Sequence, residues 1–415
     1  MNAPDRSDSL PILVVGAGVA GLTAAMDLAG LGVSVHLVER ESHLGGQVMR
    51  LDKLYPSDHC GFCPVWTEGA ACLSHPLITL HRNTSLEVLA NEDGRVIALL
   101  ATCPPAVDSD ACIFCGLCLE ACEAGGVRGT IKMQPAGLPS DPATQPVPYL
   151  NPVLCSRCGE CRGACPTGAI DPGRLDKPPL EVRLPVADVI FATGFTERNP
   201  AMVPEYLADS HPDIFTAMDF EAWIAEAGPN AGQISRRLNG KTPRSIGFIQ
   251  CVGARDQRFL SYCSSVCCMH ALKQARWVKR RLPAASVAIF FTDLRAEGKG
   301  YEAYARAAAM EGVLLVRSRP GLVFRLPEEG GGSTLAVHYE DTNSRQLITA
   351  EFDIVVLNGG LTACPLPGQS GSDAGTGNAC GFCQEPADVS RSVVQGSRAA
   401  ALAAMRLARR TGGGP

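Results

Sequence analysis

The stretch Pro11-Ile-Leu-Val-Val15, Gly16-Ala-Gly18-Val-Ala-Gly21 decides the fold. Its five leading residues read as a buried strand and its glycines as a turn. Residues 22–30 then read as a helix, and residues 34–38 as a second strand ending at Glu39. Strand, glycine turn, helix, strand and acid, in that order, form the pattern of a dinucleotide-binding βαβ unit. Gly16 allows the tight turn, Gly18 lets backbone N–H groups approach a pyrophosphate, and Gly21 lets helix and strand pack closely. The helix N-terminus adds positive potential, and Glu39 can accept hydrogen bonds from both ribose hydroxyls of an adenosine. A lone glycine triplet is weak evidence, but this context makes it specific; a glycine-rich turn without a ligand is the alternative.

Six residues beyond Glu39 lies Gly45-Gly46. Far downstream, Asp188-Val-Ile-Phe-Ala-Thr193-Gly194 reads as another buried strand ending in an Ala-Thr-Gly turn. Both resemble the FAD-binding half of two-dinucleotide-binding flavoproteins. The resemblance implies FAD rather than NAD, held by Gly16, Gly18, Gly21, Glu39, Gly45, Gly46, Thr193 and Gly194. Residues 352–360 read as the return to this domain. Residues 381–388, ending at Asp388, and an alanine-rich helix over 396–407 resemble the closing FAD motif, and Asp388 joins the implied cofactor contacts.

Between these parts lie Cys112-x2-Cys115-x2-Cys118-x3-Cys122 and Cys155-x2-Cys158-x2-Cys161-x3-Cys165-Pro166. Both runs have the bacterial ferredoxin spacing, in which three thiolates on one loop grip a [4Fe-4S] cluster and the other run supplies the fourth. Cys112, Cys115, Cys118 and Cys165 then hold one cluster, and Cys155, Cys158, Cys161 and Cys122 the other. Soft thiolate suits iron–sulfur centres, whereas zinc ribbons rarely use four cysteines at this spacing. Glu123 stands where proline usually follows the fourth cysteine. Residues 130–149, rich in proline and polar side chains, read as a long loop or short ribbon.

Residues 245–250 read as a strand, after which a second dinucleotide domain would carry its own glycine fingerprint. The chain instead has Cys251-Val-Gly253-Ala-Arg255-Asp256, then Tyr262-Cys263-Ser-Ser-Val-Cys267-Cys268-Met and Ala271-Leu-Lys273-Gln-Ala. The spacing predicts a helix starting near Cys263. One cysteine at a strand end and three at a helix start can converge on one cluster; a disulfide or buried thiols also fit.

These segments, with Ile289-Phe-Phe-Thr-Asp293-Leu-Arg295, Gly298-Lys-Gly-Tyr-Glu302 and Arg317-Ser-Arg-Pro320, resemble the A subunit of heterodisulfide reductase. The likeness covers roughly residues 11–410. It implies an α/β, two-dinucleotide-binding, thioredoxin-reductase-like flavoprotein with an inserted bacterial-type two-cluster ferredoxin domain. It also implies a third [4Fe-4S] cluster beside the flavin, held by Cys251, Cys263, Cys267 and Cys268. Lys273 matches a lysine approaching flavin N5, where a cation stabilises reduced, anionic flavin; a solvated helix lysine is the alternative. The expected function is an electron-transfer oxidoreductase component of a heterodisulfide-reductase-like complex, with a capacity for electron bifurcation. Its expected partners are the other subunits of that complex, with ferredoxin, hydrogenase or formate dehydrogenase as electron partners. The competing reading is an adaptor flavoprotein of a quinone-interacting or acyl-CoA-reducing complex, without its own substrate site. The resemblance is to the shorter bacterial form, without the archaeal proteins' extra N-terminal domain and their C-terminal ferredoxin domain.

The 415 residues suit two or three domains. The expected segments are 1–102 for FAD, 103–175 for the ferredoxin insert, 176–243 for FAD again, 244–357 for a second Rossmann-like domain, and 358–415 for the closing FAD segment. With 37 basic and 42 acidic residues, net −5, nucleic-acid binding is not expected. No run of ~18 apolar residues suggests a membrane span, and residues 1–10 do not form a secretory signal. Nineteen cysteines at short fixed spacings point to cluster ligation in a reducing cytoplasm rather than to disulfides. Cys60-Gly-Phe-Cys63 and Cys380-Gly-Phe-Cys383 read as ligands, redox dithiols or buried thiols, and Cys72, Cys103 and Cys364 as structural. No catalytic triad or carboxylate pair supports hydrolase chemistry, and the eight histidines read as ordinary residues.

Overall fold

The computed structural model describes residues 10–41, 43–92, 95–108, 111–113, 115–122, 127–128, 149–150, 155–206, 211–226, 228, 230–327, 333–367 and 378–410. They fall into two units, one of residues 1–49, 62–194 and 363–415, the other of residues 50–61 and 195–362.

In the first unit Ile12–Val15 is buried at every position, as a parallel strand covered on both faces must be. The parallel sheet runs Asp188–Phe191, Ile12–Val15, Val35–Val38, Ile78–His81, with Ile12 facing Asp188 on one side and Val35 on the other. Helices Val19–Gly30, Phe62–Ser74 and Val389–Arg410 pack together. A three-stranded antiparallel sheet, Leu180–Val186, Arg95–Thr102 and Thr84–Glu92, buries Leu86, Ala98 and Leu100 against Leu13, Val15 and Val38. The insert leaves this sheet at Thr102 and rejoins it at Leu180, residues that face each other in register. Its described part holds short helices Leu117–Glu120 and Glu160–Ala164 around a small core of Ala106, Val107, Leu150, Ile170, Cys118 and Cys161. The expected loop over 130–149 lies outside the described residues, except that Tyr149–Leu150 pairs with Val127–Arg128.

The second unit has a five-stranded parallel sheet ordered Ile214–Thr216, Ile354–Leu357, Ser245–Ile249, Ser286–Phe291, Val313–Arg317. Helices Ala217–Ile224, Cys267–Arg281 and Tyr301–Met310 supply Phe220, Leu272, Ala275 and Tyr304 to one core. An antiparallel sheet of Leu322–Pro327, Ser333–Asp341 and Gln346–Phe352 supplies Val323, Leu335 and Val337 to another.

The unit border differs from the expected segments. Residues 195–243, expected with FAD, cluster in the second unit, because Ile214–Thr216 pairs with Ile354–Leu357 and the following helix buries Phe220 and Ile224. Residues 50–61 join them, and 103–175 cluster with the first unit. The helix expected from Cys263 begins at Cys267, since the turn before it puts Ser265 at φ 62. Among the described residues no helix is long and apolar enough to cross a membrane.

Candidate cofactor cradle and cysteine centres

The three fingerprint glycines differ in what surrounds them. At Gly16 a Cβ would lie 2.4 Å from Ala192 O, and at Gly21 1.8 Å from Gly16 O. The fold itself therefore requires glycine at both. At Gly18 a Cβ would meet only Gly46 Cα, at 4.0 Å, so the protein leaves that space open. It lies at the start of Val19–Gly30, where a helix N-terminus favours a phosphate group. The Gly45-Gly46 pair runs alongside: Gly45 bridges Gly18 in parallel and its N–H donates to Ala17 O at 2.7 Å.

Glu39 is buried, and burial pushes its carboxyl pKa up. Its oxygens accept from Ala17 N at 2.8 Å and Glu41 N at 2.9 Å. Each oxygen keeps a second lone pair for a ribose hydroxyl. Space is open on Gly194 too, while Thr193 Oγ1 donates to Cys364 O at 3.4 Å. Asp388 caps the last helix, accepting from Arg391 N at 2.8 Å. This cradle fits a dinucleotide pyrophosphate and ribose.

The ferredoxin-type cysteines interleave in space. Cys118 is buried with Cys112, Cys115 and Cys165 acting on it, and burial pushes its thiol up to about 11. Cys161 is buried with Cys122, Cys155 and Cys158 acting on it. Each group draws its fourth member from the other run. Among the described residues no three of His, Cys, Asp or Glu converge on a single metal ion. A cubane takes one thiolate per iron, so its ligands stand further apart than those of one ion. Each group supplies the four thiolates a cubane needs.

In the second unit the spatial strand order changes direction between Ile354–Leu357 and Ser245–Ile249, neighbours far apart in sequence. Doubly wound sheets bind ligands beyond the carboxyl ends of strands at such a switch. Cys251 and Asn358 stand there, and Cys251, Cys263, Cys267 and Cys268 line one pocket with Arg295 and Asn358. Three non-glycine residues about it have left-handed backbone: Cys251 at φ 59, Arg255 at φ 56 and Ser265 at φ 62. Each costs roughly 1–2 kcal/mol and persists only where the surroundings enforce it. Burial pushes the Cys267 thiol far up and the Cys268 thiol up to about 12, with neighbouring thiols adding to both shifts. Bound iron reverses such a preference, since a coordinating thiol is deprotonated by the metal's charge. Asn358 Nδ2 is buried without a hydrogen-bond partner, a donor that a sulfur ligand would satisfy.

Lys273, on helix Cys267–Arg281, is buried, which excludes the solvated-lysine alternative. Its Nζ donates to Glu221 Oε1 at 2.5 Å and Lys53 O at 2.9 Å. Glu221 also accepts from Asp52 N at 3.0 Å and Gln274 Nε2 at 3.0 Å, and lies 3.2 Å from His270 Nε2. Burial would push the Glu221 carboxyl up, but the Lys273 ammonium and His270 ring outweigh it and hold it far below the usual range. Sequence reasoning misses Glu221, His270, Asp52 and Asn358, because no local spacing links them to the motifs they serve. Cys60 belongs to the second unit, and Cys63, Cys380 and Cys383 to the first. Cys380 is fully buried, which pushes its thiol up to about 12, and the Cys383 thiol lies 3.3 Å from Phe191 O.

Such a fold and such centres define a thioredoxin-reductase-like, two-dinucleotide-binding architecture carrying a dicluster ferredoxin domain. Thioredoxin reductases from Lactococcus lactis and T. acidophilum share the fold, each at TM-score 0.51. Their identities are 14% and 12%, covering 96% and 97% of this chain and 99% and 98% of theirs. A family of NAD(P)-binding Rossmann-like domains matches residues 14–60, and a 4Fe-4S dicluster domain family matches residues 105–169.

More particularly, the chain is like the A subunit of heterodisulfide reductases. It is 35% identical over 367 residues to the iron-sulfur A subunit of the CoB--CoM heterodisulfide reductase of Methanocaldococcus jannaschii, covering 85% of this chain and 54% of that protein. It is 34% identical over 431 residues to the second such A subunit of Methanopyrus kandleri, covering 95% and 64%. It is 34% identical over 362 residues to the A subunit of the H(2)/formate:CoB-CoM heterodisulfide,ferredoxin reductase of Methanococcus maripaludis, covering 85% and 53%. The chain thus spans between about half and two thirds of these relatives' length.

Proposed function

We propose that this chain is the flavin- and iron–sulfur-containing electron-transfer component of a heterodisulfide-reductase-like complex. FAD lies on the Gly16–Gly21 cradle. Clusters lie on Cys112, Cys115, Cys118 and Cys165, on Cys155, Cys158, Cys161 and Cys122, and on Cys251, Cys263, Cys267 and Cys268. One observation carries the reading: at the strand-order switch of the second unit, where a nicotinamide nucleotide would need a glycine fingerprint, four cysteines line the pocket instead.

When bound, FAD handles electrons in pairs and each [4Fe-4S] cluster handles them singly. The chain's own residues bind and insulate these groups. The helix Val19–Gly30 and its glycine turn take the pyrophosphate, and Glu39 the ribose. Apolar packing covers Cys118 and Cys161 while Cys115 and Cys158 stay exposed, and such exposure helps set cluster potentials.

The names of the relatives join the heterodisulfide to ferredoxin, H(2) or formate. We extend to this chain the finer reading that it works with such partners in a reducing cytoplasm. It divides electrons between two acceptors while partner subunits hold the substrate site. Anaerobic reconstitution should give about one flavin and about twelve irons per chain. Iron near eight would remove the third cluster from the reading. Capture of the native complex should recover a partner with its own substrate site; a partner set without one would favour the adaptor role.

A further inference from the structure

We propose that Asn358 sets the reduction potential of the third cluster by donating an N–H···S hydrogen bond from its side-chain amide. The inference rests on the reading of Cys251, Cys263, Cys267 and Cys268 as cluster ligands.

Asn358 is the first residue beyond Ile354–Leu357, and its backbone is clamped on both sides. Its N–H donates to Ile249 O at 2.9 Å, and its carbonyl accepts from Val252 N at 2.9 Å. The two bonds bracket Cys251 and fix the asparagine at the pocket wall. The side chain is 2% exposed, it lines the same pocket as the four cysteines, and Nδ2 has no hydrogen-bond partner. An amide held dry without an acceptor is strongly disfavoured, while leucine would fill the same volume without that penalty.

Two other polar side chains on the wall are already engaged. Ser264 Oγ accepts from Leu361 N at 2.7 Å, and Arg295 pairs with Glu297. The pocket's four cysteines place sulfur acceptors on the same wall. Arg255 stands close as well: its Nη2 holds Asp293 at 2.8 Å, and its guanidinium acts on Cys251 and Cys263. Hydrogen bonds to cluster sulfur stabilise the more negative, reduced form and raise the potential. Asn358 therefore makes this cluster a better electron acceptor than its burial alone would allow.

The test uses the full chain, reconstituted anaerobically with iron and sulfide, as wild type and as Asn358→Leu. Iron content and an EPR-monitored redox titration are read together, with the two ferredoxin-type clusters as internal references. The expected result is unchanged iron, unmoved reference midpoints, and a third midpoint lowered by about 59 mV, a tenfold change in a one-electron equilibrium. A third cluster present with an unmoved midpoint overturns the role of Asn358 and leaves the cysteine reading standing. Wild-type iron of only about eight overturns the cysteine reading itself. Should Asn358→Leu lose the cluster, Asn358→Ala, uncharged and without a side-chain donor, takes its place: a lowered midpoint supports the inference and an unmoved one overturns it.

Discussion

Lys273 and Glu221 form a buried ion pair within a net of His270, Gln274 and the Asp52 N–H. Removing one partner of such a pair leaves an uncompensated charge, at a cost of about 3–5 kcal/mol. Lys273→Met should destabilise the second unit by that amount in anaerobic denaturation. The Lys273→Met, Glu221→Gln double variant should recover most of the loss, and a double variant no more stable than the single one would show the two residues to be uncoupled. Glu197 gives a pH signature. Burial raises its carboxyl to about 7, although Thr216 Oγ1 and Met218 N both donate to it. An unfolded glutamate ionises near 4.3. The folded state thus binds the proton more tightly, and this contribution is complete below pH ~4.3 and lost as pH rises through about 7. Glu197→Gln, which keeps an acceptor, should be more stable than wild type at pH 8 by roughly 3–4 kcal/mol, with the gap closing towards pH 4. Parallel stability curves for the two proteins would contradict this account.

At the scale of elements, the glycine turn separates binding from folding. Gly18→Ala has room in the protein, so it should fold normally and lose flavin affinity at least tenfold. Gly21→Ala would drive its Cβ against the Gly16 carbonyl and should fail to accumulate as folded protein. Flavin content beside thermal unfolding distinguishes them, and full flavin in Gly18→Ala would remove the pyrophosphate from that spot. The interleaved runs make a second contrast. Cys165→Ser should abolish the cluster that Cys118→Ser abolishes, and Cys122→Ser the other one, as resolved by EPR of each variant. Loss of the same signal in Cys165→Ser and Cys161→Ser would contradict the exchange of fourth ligands.

These elements are legible in the sequence because their signals are local. Glycine spacing and the 2-2-3 cysteine runs stand within a dozen residues each. The strands at Ile12–Val15 and Asp188–Phe191 follow from continuous apolar runs. The long-range partners are not legible. Lys273 meets Glu221 across 52 positions and Lys53 across 220, and such pairs have no period or motif. In the sequence Asn358 is merely one residue of the return read over 352–360, since its unsatisfied amide exists only once Cys251 is folded opposite it.

On the scale of the whole molecule, the absent nicotinamide fingerprint predicts how the protein meets its donors. Mixed anaerobically with NADH or NADPH alone, the reconstituted protein should show no rapid flavin bleaching in stopped-flow absorbance, and fast bleaching by either would contradict the reading of the second unit. The border between units escapes the sequence because the segment over 195–243 carries no fingerprint or cysteine signal. Its allegiance is set by the pairing of Ile214–Thr216 at a sheet edge.

In the first unit, Thr102 and Leu180 face each other across an antiparallel pair, about 5 Å apart at Cα, so everything between them occupies the position of a hairpin tip. Lengthening a loop between two paired strands costs little more than its closure entropy, which grows only slowly with length. The dicluster portion thus hangs from one pair of facing residues, and its length can change there without a strand of the stem changing its neighbour.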